Sequence, residues 1–300
     1  MRTFKKVDNM NFLETLLNGL SSGSTYAMIA LGYTMVYGIA KMLNFAHGDV
    51  IMVGGYTLYV TAVIAGLNPF IALIMAVICC SVLGVTIEKL AYKPLRGASP
   101  LAVLITAIGM SYLLQSLAQM IFGSADQMVR LFNLGRINIG SLQISTYTIV
   151  TLASSAVIMV ALSLFVKYTR IGRAMIAVSE DKGAAQLMGI NVNLIITITF
   201  AIGSALAAFA GFFMVLKAPP VNSTLGAMPG IKAFTAAVIG GIGSIPGAML
   251  GGILMGVVES FAQTSPAIAP YTVAIEFSIL IVILLVRPSG ILGKKRREKV

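Results

Sequence analysis

The sequence predicts an all-α polytopic membrane protein, and three observations carry that prediction. Only 10% of the 300 residues are charged and 58% are hydrophobic, whereas soluble domains carry about 25% charged residues. Several apolar runs reach about 18 residues or more, enough to cross a hydrocarbon core about 30 Å thick. Sixteen of the 21 basic residues stand beside those runs in four clusters. These are Arg2, Lys5 and Lys6; Lys89, Lys93 and Arg96; Lys167, Arg170, Arg173 and Lys182; and Arg287 with Lys294, Lys295, Arg296, Arg297 and Lys299. The pattern follows the positive-inside rule, so the net charge of +11 sets orientation and does not mark a nucleic-acid surface. The basic tail, 287–300, is also placed to meet anionic lipid.

The chain reads as one transmembrane domain over 1–300. Its first apolar run, Phe12–Ile39, is interrupted by small polar residues at Ser21–Thr25 and shows no cleavage site for a leader. Lys41–Asp49 is polar, and Val50–Ala65 is the second run. Asn68-Pro69 turns the chain into Phe70–Leu90, and Leu101–Phe122 follows. Gly123–Ser145 is a polar loop, and Tyr147–Val166 leads to a polar segment at 169–191. Leu194–Leu216 is the next run. Lys217–Gly230, with Pro219, Pro220 and Pro229, reads as an extended outer loop. Ala233–Gln263 is apolar but broken at Gly243–Pro246, and Tyr271–Val286 is last.

Parity gives the breaks meaning. If the four basic clusters share one face, Phe12–Ile39 and Ala233–Gln263 must each hold two passes, one of them short. The expectation is about eight long and two short or broken transmembrane helices, with both termini cytoplasmic. A rival reading puts the N-terminus outside or makes the short pieces re-entrant. Gly38 and Gly48…Gly54-Gly55 resemble Gly240-Gly241 and Gly247…Gly251-Gly252 in texture, which suggests a pseudo-repeat of two halves. Broken helices at matching places mark permeation paths in many transporters. The competing explanation is tight packing, because Gly243, Gly247 and Gly251 are spaced four apart.

The segment 169–191 is the only long polar stretch that reads as a helix. Ser179 is a fit N-cap, and Glu180 and Asp181 suit a first turn. Gly189 suits a left-handed C-cap. Ala184, Leu187 and Met188 share one face.

Several chemistries are missing. No phosphate-binding loop of the G-x-x-x-x-G-K-[ST] type is present, so the chain does not itself hydrolyse ATP. His47 is the only histidine, and Cys79 and Cys80 are adjacent within an apolar run. No metal site and no cofactor are therefore expected, and a Ser–His enzyme would have to force Ser244 onto His47. Glu259 and Glu276 are the deep acidic residues, with Asp49 and Glu14 nearer an edge. Such residues are costly inside membranes and are often functional, and their plainer reading is an interfacial position.

Leu43-Asn44-Phe45-Ala46-His47-Gly48-Asp49, followed by Met52 and Gly54-Gly55-Tyr56, resembles the signature of permease subunits of branched-chain amino acid ABC importers. Arg173-Ala174-Met175, Glu180-Asp181 and Ala184-Ala185-Gln186-Leu187-Met188-Gly189-Ile190 resemble that family's cytoplasmic loop, and Gly240–Gly252 also matches. The resemblance runs from Asn11 to Leu292 and is nearest the first of the two permeases of the leucine/isoleucine/valine system. The loop departs from the general ABC-importer pattern at Gly183, where Glu is usual, and at Thr199, where Ile is usual.

The resemblance implies a complex with a second permease subunit, two ATP-binding subunits and a periplasmic substrate-binding protein, in the bacterial inner membrane. Arg173, Glu180, Asp181, Ala184, Ala185, Leu187, Met188 and Gly189 would then couple to the ATPases. Asn44, His47, Gly48, Asp49, Gly240, Gly241, Gly243, Gly247 and Gly251 would line or abut the pathway for the amino acid. An ion-coupled secondary transporter of small amphipathic solutes, using Glu259, Glu276 or Asp49, is the alternative.

Overall fold

Helix α1 runs unbroken from Arg2 to Ala40 in the computed structural model, which describes residues 2–132, 135–139 and 142–293. The basic residues from Lys294 to Lys299 lie outside the described residues. After α1 come α2 (His47–Leu58), which widens into a π-helical turn over Tyr59–Ile64, then α3 (Pro69–Ile87), extended by irregular turns to Leu95, and α4 (Pro100–Phe122). Short strands β1 (Gln127–Met128), β2 (Arg136–Ile139) and β3 (Leu142–Ser145) precede α5 (Thr146–Tyr168). Helices α6 (Arg170–Glu180) and α7 (Lys182–Leu187) lead to α8 (Val192–Lys217) and strand β4 (Pro220–Val221). Helices α9 (Ala227–Gly240), α10 (Ile245–Thr264) and α11 (Thr272–Val286) complete the chain.

The starts of these helices are written locally. Asn68, Ser99 and Ser244 each accept a bond from a backbone N–H of the following first turn, with proline at its first or second position. A side-chain oxygen there satisfies one of the orphan donors of a helix start, and proline lacks the N–H that would be orphaned. Among the described residues six helices are long and apolar enough to cross a membrane, and α9 is a shorter apolar one. The all-α polytopic membrane architecture is therefore present, and Ala233–Gln263 does contain two passes, the first of them short.

Phe12–Ile39 does not. Ser24 Oγ donates to the Leu20 carbonyl at 2.7 Å, and Thr25 Oγ1 to Ser21 at 3.4 Å. Such back-bonding lets small hydroxyl residues sit inside a helix without breaking it. Gly19 and Gly23 meet the backbone of α10 at Val257 and Ile253, so the small residues make a close helix crossing. This correction removes one pass from the expected ten, and the described residues begin and end at opposite ends of the molecule. We call the end that carries 169–191 the inner end. Lys182 Nζ donates to the Ala40 carbonyl there at 2.9 Å, and Ile291 and Leu292 N–H bond Ile239 and Gly240. The start of α1 is at the far end: Phe12 packs on Phe261 at 5.2 Å, and Glu14 accepts from Gln143 N at 2.8 Å. Of the two rival readings, a chain that starts at the end opposite 169–191 agrees with the fold, whereas re-entrant short pieces do not, because each return and its half-span together lead to the other end.

The pseudo-repeat exists, but its register differs from the one expected. Helices α1 to α4 and α8 to α11 are two copies in opposite orientation. Helix α1 lies along α10 as α8 lies along α3, and α2 packs on α3 and α8 as α9 packs on α10 and α1. In each copy a full span is followed by an extended return into the protein and then a half-span. The return after α1 is Lys41–Ala46, and the return after α8 is 218–226. The break that corresponds to Lys41–Ala46 is therefore 218–226, not Gly243–Pro246, which is the turn between α9 and α10 at the inner end. Non-helical backbone at membrane depth must be satisfied by protein. Lys41 N bonds Tyr37 O at 2.9 Å and His47 N bonds Asn44 O at 3.1 Å, with Tyr92 OH donating to Asn44 Oδ1 at 2.9 Å, while β1 pairs with β4 and Val129 N bonds Pro219 O at 2.9 Å.

Candidate functional site

Both half-spans begin at the same place, near the midpoint of α8. Gly48, the second residue of α2, meets Gly226, which precedes α9, so closely that a Cβ on Gly226 would overlap the Gly48 carbonyl. Gly230 sits against Gly48 from the next turn. Gly32 of α1 and Gly203 of α8 cross beside them. Only glycine permits backbones to approach in this way, and the approach brings two helix N-termini together. His47 is buried and edge-on to Tyr33 at 4.7 Å. Tyr33 packs edge-on to Phe234 at 5.7 Å, and Phe45 lies 5.4 Å from Phe234. Asp49 is buried and accepts from Gln115 Nε2 of α4 at 2.8 Å. Asn44, His47, Gly48 and Asp49 thus form one junction.

The expected glycine partners are elsewhere. Gly240 and Gly247 meet backbone to backbone between α9 and α10, and Gly251 meets the Ala236 carbonyl one turn on. Gly241 (φ +107°) and Gly243 (φ +94°) shape the turn at the inner end, beside Gly293 and Gly38. Gly240, Gly241, Gly247 and Gly251 pack tightly against backbone, whereas Gly243 makes an ordinary contact with Gly38 at 3.9 Å. The residues that do join the junction from the second copy, Gly226 and Gly230, fall in a stretch whose prolines read as an ordinary loop.

A second cluster joins α9 to the far-end halves of α10 and α11. Lys232 of α9 bonds Glu259 of α10 at 2.5 Å and Glu276 of α11 at 3.1 Å. The Tyr26 ring stands 6.0 Å from the ammonium, and Glu276 Oε2 is buried with no hydrogen-bond partner among the described residues. Both deep carboxylates are therefore paired within the protein, and Lys232 is the counterion that the sequence reading missed. Glu259 also lines a cavity of about 490 Å³ at the far end. Near the inner end, fully buried Glu88 holds Arg96 and accepts from Thr197 Oγ1 at 2.8 Å. Among the described residues no group of three or more His, Cys, Asp or Glu could hold a metal.

The 169–191 segment is two helices, not one. Thr169 caps α6 through Gly172 N at 3.0 Å. Ser179, expected as the cap, lies within α6 and donates to Ile176 O at 2.7 Å. Asp181 is the cap instead, accepting from Ala184 N at 3.0 Å to start α7, and its charge offsets the helix dipole there. Gly189 ends the segment at φ +80°, as its position predicts. Gly172, Met175 and Val178 bury one stripe of α6, while Arg173 and Glu180 are exposed. Ala185 is buried at 4% exposure, whereas Leu187 and Met188 are 90% and 82% exposed. Ala184 is exposed beside them. Burial, with Arg96 nearby, pulls the Lys182 ammonium below the usual lysine range.

Residues 15–284 match the family model described as branched-chain amino acid transport system / permease component. The chain is 43% identical to the high-affinity branched-chain amino acid transport system permease protein BraD of Pseudomonas aeruginosa, over 97% of this chain and 98% of that protein. It is 42% identical to the corresponding permease LivH of Escherichia coli, over 96% and 98% of the two chains. The ribose import permease RbsC of Escherichia coli is similar at 23% identity, over 93% of this chain and 87% of that one.

Proposed function

Because the chain belongs to the permease family of branched-chain amino acid transport systems, we propose that it is the membrane subunit of an ABC importer that moves leucine, isoleucine and valine across the inner membrane. ATP is hydrolysed on two separate subunits, a second permease completes the pathway, and a periplasmic binding protein delivers the amino acid. The observation that carries this reading is the α6–α7 unit. It projects an apolar pair, Leu187 and Met188, from the inner end, on a rigid base held by Ala185, Met175 and Val178. A solvated connector has no need of two nearly bare large apolar side chains, and contiguous exposed apolar groups mark interaction sites. Arg173 and Glu180 supply a charged rim, which favours steering and register over affinity.

The junction of the two half-spans is the element such a unit would move. Lys182 ties α7 to the last carbonyl of α1, and α1 crosses α8 at Gly32 and Gly203, beside Gly48 and Gly226. Closure of the ATP-binding subunits would thus act on the pathway through α1. A ligand or partner shifts such an equilibrium only by binding one state better than the other, and here the differential contact is with the exposed face of α7. Exposed apolar faces such as Met120, Ile121, Leu285 and Val286 are left for lipid or the second permease.

The test is reconstitution in vesicles. The chain with a second permease, two ATP-binding subunits and the binding protein should accumulate labelled leucine only when ATP is supplied. Accumulation by the chain alone, driven by an ion gradient, would overturn the reading in favour of a secondary transporter.

A further inference from the structure

We propose that the far-end cavity beside Lys217 and Glu259 is a subsite for a free zwitterionic amino acid, the first protein surface to hold the substrate within this chain. The inference rests on the branched-chain amino acid reading above and adds a place and a chemistry to it. The cavity measures about 490 Å³ and lies among α1, α5, α8 and α10, a size within the roughly 300–1,000 Å³ of small-molecule sites.

Its charges are arranged for a zwitterion. Lys217, in the last turn of α8, donates to Ser22 Oγ at 2.7 Å, and among the described residues it makes no ion pair with a carboxylate. Glu259 belongs to a cluster of two carboxylates and one ammonium. Glu259 is the member of that cluster that reaches the cavity. An ammonium and a carboxylate that share no ion pair among the described residues therefore face one cavity. A bound α-carboxylate would take Lys217, and an α-ammonium would take Glu259. Phe132 and Leu216 supply apolar wall for a branched side chain, and Asn18 and Gln263 supply polar wall. Charge-assisted hydrogen bonds of this kind are roughly twice as strong as neutral ones.

The place also fits passage inward. Ser22 and Tyr26 lie on one face of α1, and Tyr33 and Tyr37 continue that face toward the inner end, at spacings that repeat the helical period. Tyr33 and Tyr37 line a narrow slit with Asn44 and Phe234, too tight for a water molecule. The cavity is thus open where the slit is closed, and Lys232, bonded to Glu259, stands on the half-span between them.

The experiment uses the complete importer with Cys79 and Cys80 replaced and Ser145→Cys placed on the cavity wall. A membrane-impermeant maleimide added from outside should label Ser145→Cys, and leucine should slow that labelling. On the otherwise unaltered cavity, 3-methylbutylamine, which lacks the carboxylate, and 4-methylpentanoate, which lacks the ammonium, should protect about tenfold to a hundredfold less well than leucine, the loss of one hydrogen bond to a charged group. Lys217→Met should remove leucine's advantage over the amine and leave its advantage over the acid. Lys217→Met removes a hydrogen bond to Ser22 and leaves the hydrogen bonds of Lys232 to Glu259 and Glu276 in place. Protection by leucine that is unchanged in Lys217→Met, or equal for all three compounds, would overturn the subsite. An importer that fails to take up leucine at all, in the same vesicles, would instead overturn the family reading on which it rests.

Discussion

Gly226 meets Gly48 backbone to backbone at the centre of the molecule, where two half-spans of opposite direction begin. The contact links the two inverted copies of the fold, and nothing larger than hydrogen fits at Gly226. Gly226→Ala should therefore force the two returns apart. Overpacking of this kind costs about 1–3 kcal/mol, and uptake should fall far more than the amount of protein in the membrane. Gly97→Ala, where nothing stands within 4 Å of an added Cβ, is the matched control and should be silent. Uptake and thermal melting of the purified complex read both. A wild-type rate for Gly226→Ala would show that the junction tolerates separation.

The continuity of α1 predicts where its start is exposed. With Cys79 and Cys80 replaced, Phe12→Cys and Leu187→Cys are both at exposed positions, 56% and 90% accessible. In intact cells Phe12→Cys should react with an impermeant thiol reagent added outside, and Leu187→Cys only after the membrane is opened. Labelling of both positions from the same side would restore the hairpin within Phe12–Ile39.

Much of this fold was legible in the sequence, and the misses share a cause. Spans were visible because lipid demands long apolar runs, and the turn at Asn68-Pro69 was visible because its chemistry is local. Ser21–Thr25 looked like a break, yet hydroxyl back-bonding and glycine-mediated contact with α10 keep it helical, and both depend on a neighbour far along the chain. The true partner of Lys41–Ala46 is 218–226, hidden because Pro219 and Pro220 suit an outer loop equally well. Ser179 and Asp181 are both good cap residues by type, and only the fold selects Asp181. Lys232 was missed because nothing local links it to carboxylates 27 and 44 positions away. In the candidate site, Asn44 to Asp49 were found as a contiguous motif, whereas the glycines paired with them were chosen by texture and belong to another contact.

The Lys232 cluster predicts an asymmetric mutational response. Lys232→Met leaves Glu259 and Glu276 without their shared counterion in the protein interior. Removing one partner of a buried ion pair costs about 3–5 kcal/mol, so the variant should melt many degrees lower and accumulate poorly. Adding Glu259→Gln and Glu276→Gln should restore most of the lost stability, because no uncompensated charge then remains. The melting midpoints of the single and triple variants check this. A triple variant no more stable than the single would mean that the cluster contributes shape and not charge balance.

The exposed face of α7 predicts a split between folding and assembly. Leu187→Asp and Met188→Asp change side chains that are almost fully solvated in this chain, and surface substitutions of this kind usually alter stability by less than about 0.5 kcal/mol. The variants should therefore reach the membrane at normal levels. Against an ATP-binding subunit the same aspartate would be buried unpaired, a cost of several kcal/mol, and a loss of about 4 kcal/mol weakens association roughly a thousandfold. Co-purification should show the second permease retained and the ATP-binding subunits lost, with leucine-stimulated ATP hydrolysis lost as well. Ala185→Asp should fail differently, because Ala185 is already buried within the chain and its aspartate would destabilise α7 before any partner arrives. Its signature is less protein in the membrane, not a stable permease stripped of its ATPases. If Leu187→Asp and Met188→Asp instead keep both ATP-binding subunits and full uptake, α7 is not the contact and its apolar pair faces lipid.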